Sequence, residues 1–364
     1  MLRRTLVAVA VAGALVAAAA AAGPTPGATV LAPPPAGRIY HAANAGFGGA
    51  EDRVTVARIR RFERLAGERL GWAYFSDNWI GGIGFPARQI RAARAAGLVP
   101  FIRMMPRSGF RPGGPDRRYT MQSIIDGDWD GREPGSIGLI DWCRRAAAVD
   151  GPLLVEFGTE VNGDWFPWNG RWNGGRRRSG YGDSRLADGP ERFRDAYRHV
   201  VDVCRAEGAA NLTWFFHVDV QSSPAARWNE PSAYYPGDGY VDWIGVSAYG
   251  SLHPSYPWRS FRHRWARARA AIRALGPKPI ALLETGVRED RRRPRRKARW
   301  FRRMLRDVRT RFSEIRAVSW WNERYRDAGA TIDLRIDSSR PSLRAYRRGV
   351  ADPAFTGRLR FAHR

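Results

Sequence analysis

From Arg38 onward, short apolar runs alternate with Arg-rich stretches of helical spacing. The runs predict strands over Arg38–Ala45, Leu70–Asn78, Leu98–Met105, Leu153–Glu160, Leu212–Val220, Val241–Tyr249, Pro279–Glu284 and Ile315–Asn322. Between them, helices are predicted over Val54–Ala66, Pro86–Ala96, Ile137–Val149, Glu191–Glu207, Trp258–Leu275 and Ala298–Phe312, with a last one over Ser342–Val350. Gly97 and Gly208 act as stops. Residues Gln221–Asp238 are too rich in Pro, Asn and Gly for a full helix. Strands that alternate with helices return the chain to start parallel neighbours. The pattern therefore predicts an α/β fold, a single (β/α)8 TIM barrel. A dinucleotide-binding sheet would want a phosphate-cradling turn after the first strand. Phe47-Gly48-Gly49 lacks that fingerprint, and no P-loop occurs.

The ends read differently. Arg3 and Arg4 precede an apolar run, Leu6–Ala22, with small residues over Ala17–Gly23. That is the grammar of a signal peptide at 1–23, with a retained membrane anchor as the alternative. A Pro-rich linker at 24–37, a barrel domain at 38–351 and a C-terminal tail at 352–364 complete the expected organisation. The chain is expected to be secreted, or periplasmic or cell-surface, with no stable membrane span after processing, and a monomer.

Two apolar runs end in a carboxylate. PLLVEFGTE leads to Glu160 and then to a loop with Trp165, Phe166 and Trp168; KPIALLETGV carries Glu284. Catalytic groups of such barrels sit at the C-terminal ends of strands. Strand alternation puts Leu282 on the face of Glu284 and Leu283 toward the helices, and Glu156 on the face of Glu160. A charge at Glu156 inside the barrel wants a partner, and Arg103 is the candidate. Two facing carboxylates about 5–5.5 Å apart suit retaining glycoside hydrolysis. Glu160 would be the general acid/base and Glu284 the nucleophile. Tyr249 would orient the nucleophile, and His217 and Asp219 share a face near the end of the fifth strand. The chemistry needs neither a metal nor an organic cofactor.

The 15 tryptophans sharpen the substrate class. Trp79, Trp165, Trp168, Trp172, Trp320 and Trp321 fall just past strand ends, where flat rings would stack on sugar faces. Of the adjacent pair, Trp321 is expected to point inward. Net charge is +26, carried almost wholly by Arg spread along every helix rather than in one stripe. That argues against specific nucleic-acid binding and for attraction to an anionic cell-surface or exopolysaccharide. Cys143 and Cys204 fall on helices flanking the fourth strand, where a disulfide and two buried thiols both fit.

The segment GTEVNGDWFPWNG, Gly158–Gly170, resembles the acid/base motif of glycoside hydrolase family 26, whose best-known members are β-mannanases. Glu160, Asn162, Gly163, Trp165 and Trp168 match it. VDWIGVSAYG resembles the family's sixth strand, with Tyr249 in place of its nucleophile-contacting tyrosine; ALLETG resembles the nucleophile strand, and SWWNE the eighth. The resemblance implies a secreted, retaining endo-β-glycosidase acting on β-mannan or a related β-glycan. Asn162, Trp165, Trp168, Tyr249 and Trp321, together with His217 from its place on strand five, are expected as substrate-binding residues. Thr159 stands where the family usually has His, and strand five reads FFHVDV in place of a Pro-Asn ending. The second reading is a non-catalytic glycan-binding protein on the same barrel.

Overall fold

The computed structural model describes residues 29–133 and 135–363. The expected signal peptide and the start of the linker lie outside the described residues. The chain runs β1 (Thr29–Leu31), β2 (Ile39–Asn44), α1 (Val56–Ala66), β3 (Trp72–Asn78), α2 (Ala87–Ala95), β4 (Val99–Met105), α3 (Met121–Ile125), α4 (Leu139–Ala147), β5 (Leu153–Phe157), α5 (Asp188–Ala206) and β6 (Leu212–Asp219). It continues with α6 (Pro231–Tyr234), β7 (Trp243–Ser247), α7 (Phe261–Arg273), β8 (Ile280–Thr285), α8 (Arg295–Thr310), β9 (Ile315–Trp321), β10 (Arg324–Asp327), β11 (Ala330–Asp333), α9 (Arg340–Val350), β12 (Phe355–Thr356) and β13 (Phe361–His363).

Strands β2 to β9 pair in chain order, all parallel, and β9 pairs back onto β2. This closes the sheet into the (β/α)8 barrel that the alternation predicts. The strands read as apolar runs because both faces are covered: one by helices, the other by the barrel interior. Leu153, Val155 and Phe157 of β5 join the outer core with Trp142, Cys143 and Cys204, while Leu154 joins the inner one. That inner core is a tier of rings, with Tyr74–Phe101 centroids at 4.7 Å, Phe101–Phe215 at 4.6 Å and Phe215–Trp243 at 5.7 Å.

The expected linker and tail are built into the fold. β1 pairs antiparallel with β13, and β12 adds beside the start of β2. Leu31 is buried in the inner core, its amide donates to Thr213 Oγ1, and its carbonyl accepts from Trp243 Nε1. β1 and β13 therefore lie across the N-terminal end of the barrel, opposite the C-terminal strand ends. Composition concealed this, because a short strand between prolines carries almost no periodic signal. Cys143 on α4 and Cys204 on α5 form a disulfide.

Two local departures from regular strand geometry matter for the site. β5 ends at Phe157, three residues before Glu160, because Gly158 and Glu160 both take positive φ, 66° and 48°. In β8, Val246 pairs with Leu282 but Ser247 pairs with Glu284, so Leu283 is an extra residue, a bulge. The expectation that Leu283 faces the helices is thereby overturned. Leu282 packs in the outer core, and Leu283 in the inner one. A Cβ on Gly245 would come within 2.4 Å of Leu283 Cδ1, which is why the neighbouring strand has glycine there.

Candidate active site

At the C-terminal ends of the strands lies an open cleft of about 1400 Å³, and Glu160 and Glu284 both line it. Each carboxylate is held by its own donors. The turn after β5 brings Glu160 in through its left-handed backbone, unusual for a residue with a side chain. Gly163 N–H closes the turn on the Glu160 carbonyl at 2.8 Å, and Val161 N–H ties it to His217 O of β6 at 3.2 Å. Trp165 Nε1 donates to Glu160 Oε2 at 2.7 Å. The Trp165 ring lies over Gly163, where a Cβ would sit 2.2 Å from it, so only glycine permits this arrangement.

Glu284 leaves β8 next to the bulge. The Tyr249 hydroxyl donates to Oε2 at 2.7 Å, and Arg103 Nη2 stands 2.8 Å from Oε1 as a charge contact rather than an aligned hydrogen bond. Arg103 is a hub. Its Nη1 lies 2.5 Å from Glu51 Oε2 and its Nε 3.2 Å from Glu156 Oε1. Its guanidinium packs over Trp321 at 4.9 Å and Tyr74 at 5.1 Å. The sequence reading paired Arg103 with Glu156 alone. Its reach to Glu284 and Glu51 is a consequence of barrel closure, with no local signal.

Burial sets the protonation. It pushes Glu160 up to about 7; the negative charge of Asp219 adds to this, while Ser247 and Trp165 hydrogen bonds oppose it. Burial also pushes Glu284 up to about 7, against the pull of Arg103 and with the Glu160 charge adding. Burial pushes the Asp219 carboxyl up to about 7 as well, and the Glu284 charge adds to it, so these neighbouring acids do not all ionise at neutrality. Arg103 and Tyr249 favour the anion on Glu284, and Ser247, Trp165 and, more weakly, Arg103 favour that on Glu160. A carboxylate poised beside a neutral carboxyl in one cleft is the equipment of a nucleophile and a general acid.

The other expected contacts divide. Trp165, Tyr249 and Trp321 line the cleft. Trp168 does not: it is fully buried, stacks on Phe166 at 4.4 Å, and donates to the Thr159 carbonyl at 2.7 Å. Asn162 is also fully buried. Its Oδ1 accepts from Asp219 N–H at 2.8 Å and its Nδ2 donates to Asp219 O at 2.9 Å, so it clamps the end of β6 instead of facing the cleft. His217 lies inside the barrel, with Nδ1 2.8 Å from Glu156 Oε2 and Nε2 2.9 Å from Ser247 Oγ. It supports the site from below. Trp79 and Trp320 are core residues against Tyr119 and Phe301, and Trp172 is half-buried with its Nε1 on Asp164 O, outside the cleft lining. Trp79, Trp168 and Trp172 follow strand ends, but the turn geometry folds them back onto the scaffold, whereas Trp320 lies within β9 on its outer face.

Asp219, which the sequence places with His217 near a strand end, and two rim tyrosines without a sequence signal complete the lining. Asp219, at the end of β6, lies beside Glu160 electrostatically. Tyr256 and Tyr325, 54% and 38% exposed, stand at the rim on the β7–α7 loop and on the β10–β11 hairpin. Alternation along a strand finds neither loop nor hairpin residues.

With this geometry in view, the likenesses to known proteins are informative. Residues 139–269, from α4 into α7, match the model of Glycosyl hydrolase family 26. This bears out the resemblance carried by the motifs. Endoglucanase H of Acetivibrio thermocellus is 31% identical over 194 residues, 52% of this chain and 19% of that relative; this chain therefore spans about a fifth of its length. Among solved structures, a GH26 β-mannanase from Bacteroides ovatus superposes with TM-score 0.55 at 17% identity, covering 90% of each chain. The catalytic domain of a GH26 endo-β-1,4-mannanase from Bacillus sp. JAMB-750 gives 0.56 at 16% identity, over 88% of this chain and 87% of that one. At such identities the likeness is one of fold.

Proposed function

Taking the likeness to Glycosyl hydrolase family 26 as premise, we propose that this protein is a retaining endo-β-glycosidase that cleaves a β-linked polysaccharide by double displacement. Glu284 attacks the anomeric carbon and forms a glycosyl-enzyme. Glu160 gives its proton to the leaving oxygen, then takes one from the water that releases the sugar. Tyr249 and Arg103 orient the nucleophile and hold it anionic. Trp165, Trp321, Tyr256 and Tyr325 offer ring faces to successive sugars. An open cleft, rather than a closed pocket, suits attack within a chain. β-Mannan, the substrate class of the structural neighbours, and β-glucan, suggested by the Endoglucanase H relative, are the two backbones to consider. The N-terminal pattern supports export, which places the enzyme where such polymers are found.

The observation that carries the reading is the unequal environment of two buried carboxyls in one cleft: Trp165 and the nearby Asp219 on Glu160, Tyr249 and Arg103 on Glu284. An activated 2-deoxy-2-fluoro β-glycoside tests it. Intact-mass analysis should show one adduct, mapping to Glu284 and missing from Glu284→Ala. An unlabelled protein that still binds the glycan would instead be the non-catalytic glycan-binding protein.

A further inference from the structure

The cleft is electrically lopsided. Its acids other than the catalytic pair are Glu51 and Glu323, which follow β2 and β9 where Arg324 also lines the cleft, and Asp219 at the end of β6, whose anion Arg264 favours. The sector after β7 is basic: Arg259, His263, Arg264 and Arg267 all line the cleft there. On α7, Arg267 lies four residues after His263 and three after Arg264, which puts the three on one side of the helix, and Arg259 immediately precedes the α7 cap, Ser260. No acid occupies the first turn of α7.

What sets these arginines apart is their place on the cleft wall, since arginines unpaired among the described residues, such as Arg88, Arg91 and Arg94, also occur elsewhere. Arg262 and Arg269, on other faces of the same helix, are ion-paired to Asp307 and Glu314. Arg259, Arg264 and Arg267 have no carboxylate partner within salt-bridge distance among the described residues. Arg264 is half-buried; its Nη1 donates to Gln221 Oε1 at 3.2 Å, and its buried Nε has no acceptor. A buried guanidinium N–H without an acceptor is costly, and the accessible part of the half-buried Arg264 side chain lines the cleft. A planar fork of donors is also the group best matched to a carboxylate.

We propose that Arg259, Arg264 and Arg267 form an anion-binding subsite, and that the substrate is an acidic β-glycan bearing carboxylate groups on sugars flanking the scissile bond. The proposal rests on the glycosidase reading for its catalytic half only. The carboxylate enters the sector after β7 and meets the Arg264 fork, with Arg259 and Arg267 beside it. Tyr256 and Tyr325 hold the sugar rings.

The test compares mixed-linkage β-glucan and β-mannan, each neutral and lightly carboxymethylated, as substrates for the full chain. Binding of the carboxymethylated oligosaccharides is measured in parallel by calorimetry on the Glu284→Ala background. Two charge-matched variants are compared, Arg259→Gln/Arg264→Gln/Arg267→Gln and the remote α2 set Arg88→Gln/Arg91→Gln/Arg94→Gln, each checked for an unchanged melting temperature. The proposal expects a preference for the carboxymethylated form of about tenfold in kcat/KM. The α7 variant should lose that preference while keeping its rate on the neutral polymer, and the α2 variant should keep it. Cleavage of neutral and acidic polymers alike, or equal loss in both variants, overturns the subsite. Absent hydrolysis with α7-dependent binding overturns the glycosidase reading and leaves the subsite standing. Neither hydrolysis nor α7-dependent binding overturns both.

Discussion

The hydroxyl of Thr159, one residue before Glu160, lies 2.7 Å from Nδ1 of His217 on the next strand. The same nitrogen is 2.8 Å from Glu156, and the other ring nitrogen is 2.9 Å from Ser247, which also bonds Glu160. The departure from the family pattern at Thr159 is thus occupied by an imidazole arriving from β6. Thr159 is fully buried, so a larger ring has no room. Thr159→His should therefore destabilise the fold by about 1–3 kcal/mol through overpacking, and should not raise activity on mannan. Chemical denaturation and a mannan reducing-end assay check this; a fold-neutral variant with higher mannan activity would contradict it.

Asp219 sets how long Glu160 keeps its proton. Burial contributes most to raising the Glu160 carboxyl to about 7, and the Asp219 charge comes next. A general acid works only while protonated, so kcat/KM should fall as pH rises through this value. Asp219→Asn removes a negative neighbour, which favours the anion of Glu160 and lowers its pKa. The alkaline limb should move to lower pH by on the order of one pH unit. An unmoved limb in the pH profile would show that burial alone governs it.

Trp165 and Trp168 flank the same loop but do different work. Trp168→Ala opens a cavity in the outer core and strands the Thr159 carbonyl, and should cost about 3–5 kcal/mol of stability. Trp165→Ala should leave stability nearly unchanged while it raises KM and lowers kcat, because it strips a cleft wall and the donor to Glu160. Thermal melts and steady-state kinetics on the two variants separate the roles.

The disulfide pins α4 to α5 on either side of β5. It closes a loop with a sequence separation of 61, for which chain-entropy reasoning gives about 4 kcal/mol. Cys143→Ser/Cys204→Ser should unfold at correspondingly lower denaturant, and reductant should lower the wild-type midpoint but not that of the variant.

What the amino-acid sequence determined by itself is the barrel and two of the carboxyls that line its cleft, Glu160 and Glu284. Both follow from local signals: apolar runs in a strand–helix rhythm, and a glutamate at or just past the end of a run. What only tertiary structure decided is which side chains turn toward the cleft. Alternation misplaced Leu283 because a bulge in β8 adds one residue, and on the way to Glu160 it ran through Gly158 and ended on Glu160, both at positive φ. Trp168, Asn162 and His217 carry the composition of ligand contacts, yet loop packing buries them as scaffold. Arg103, Asp219 and the α7 arginines share one cleft with Glu160 and Glu284 because the sheet closes on itself, joining strands far apart in the chain. No window of sequence holds that relationship, because it is created by the return of β9 to β2.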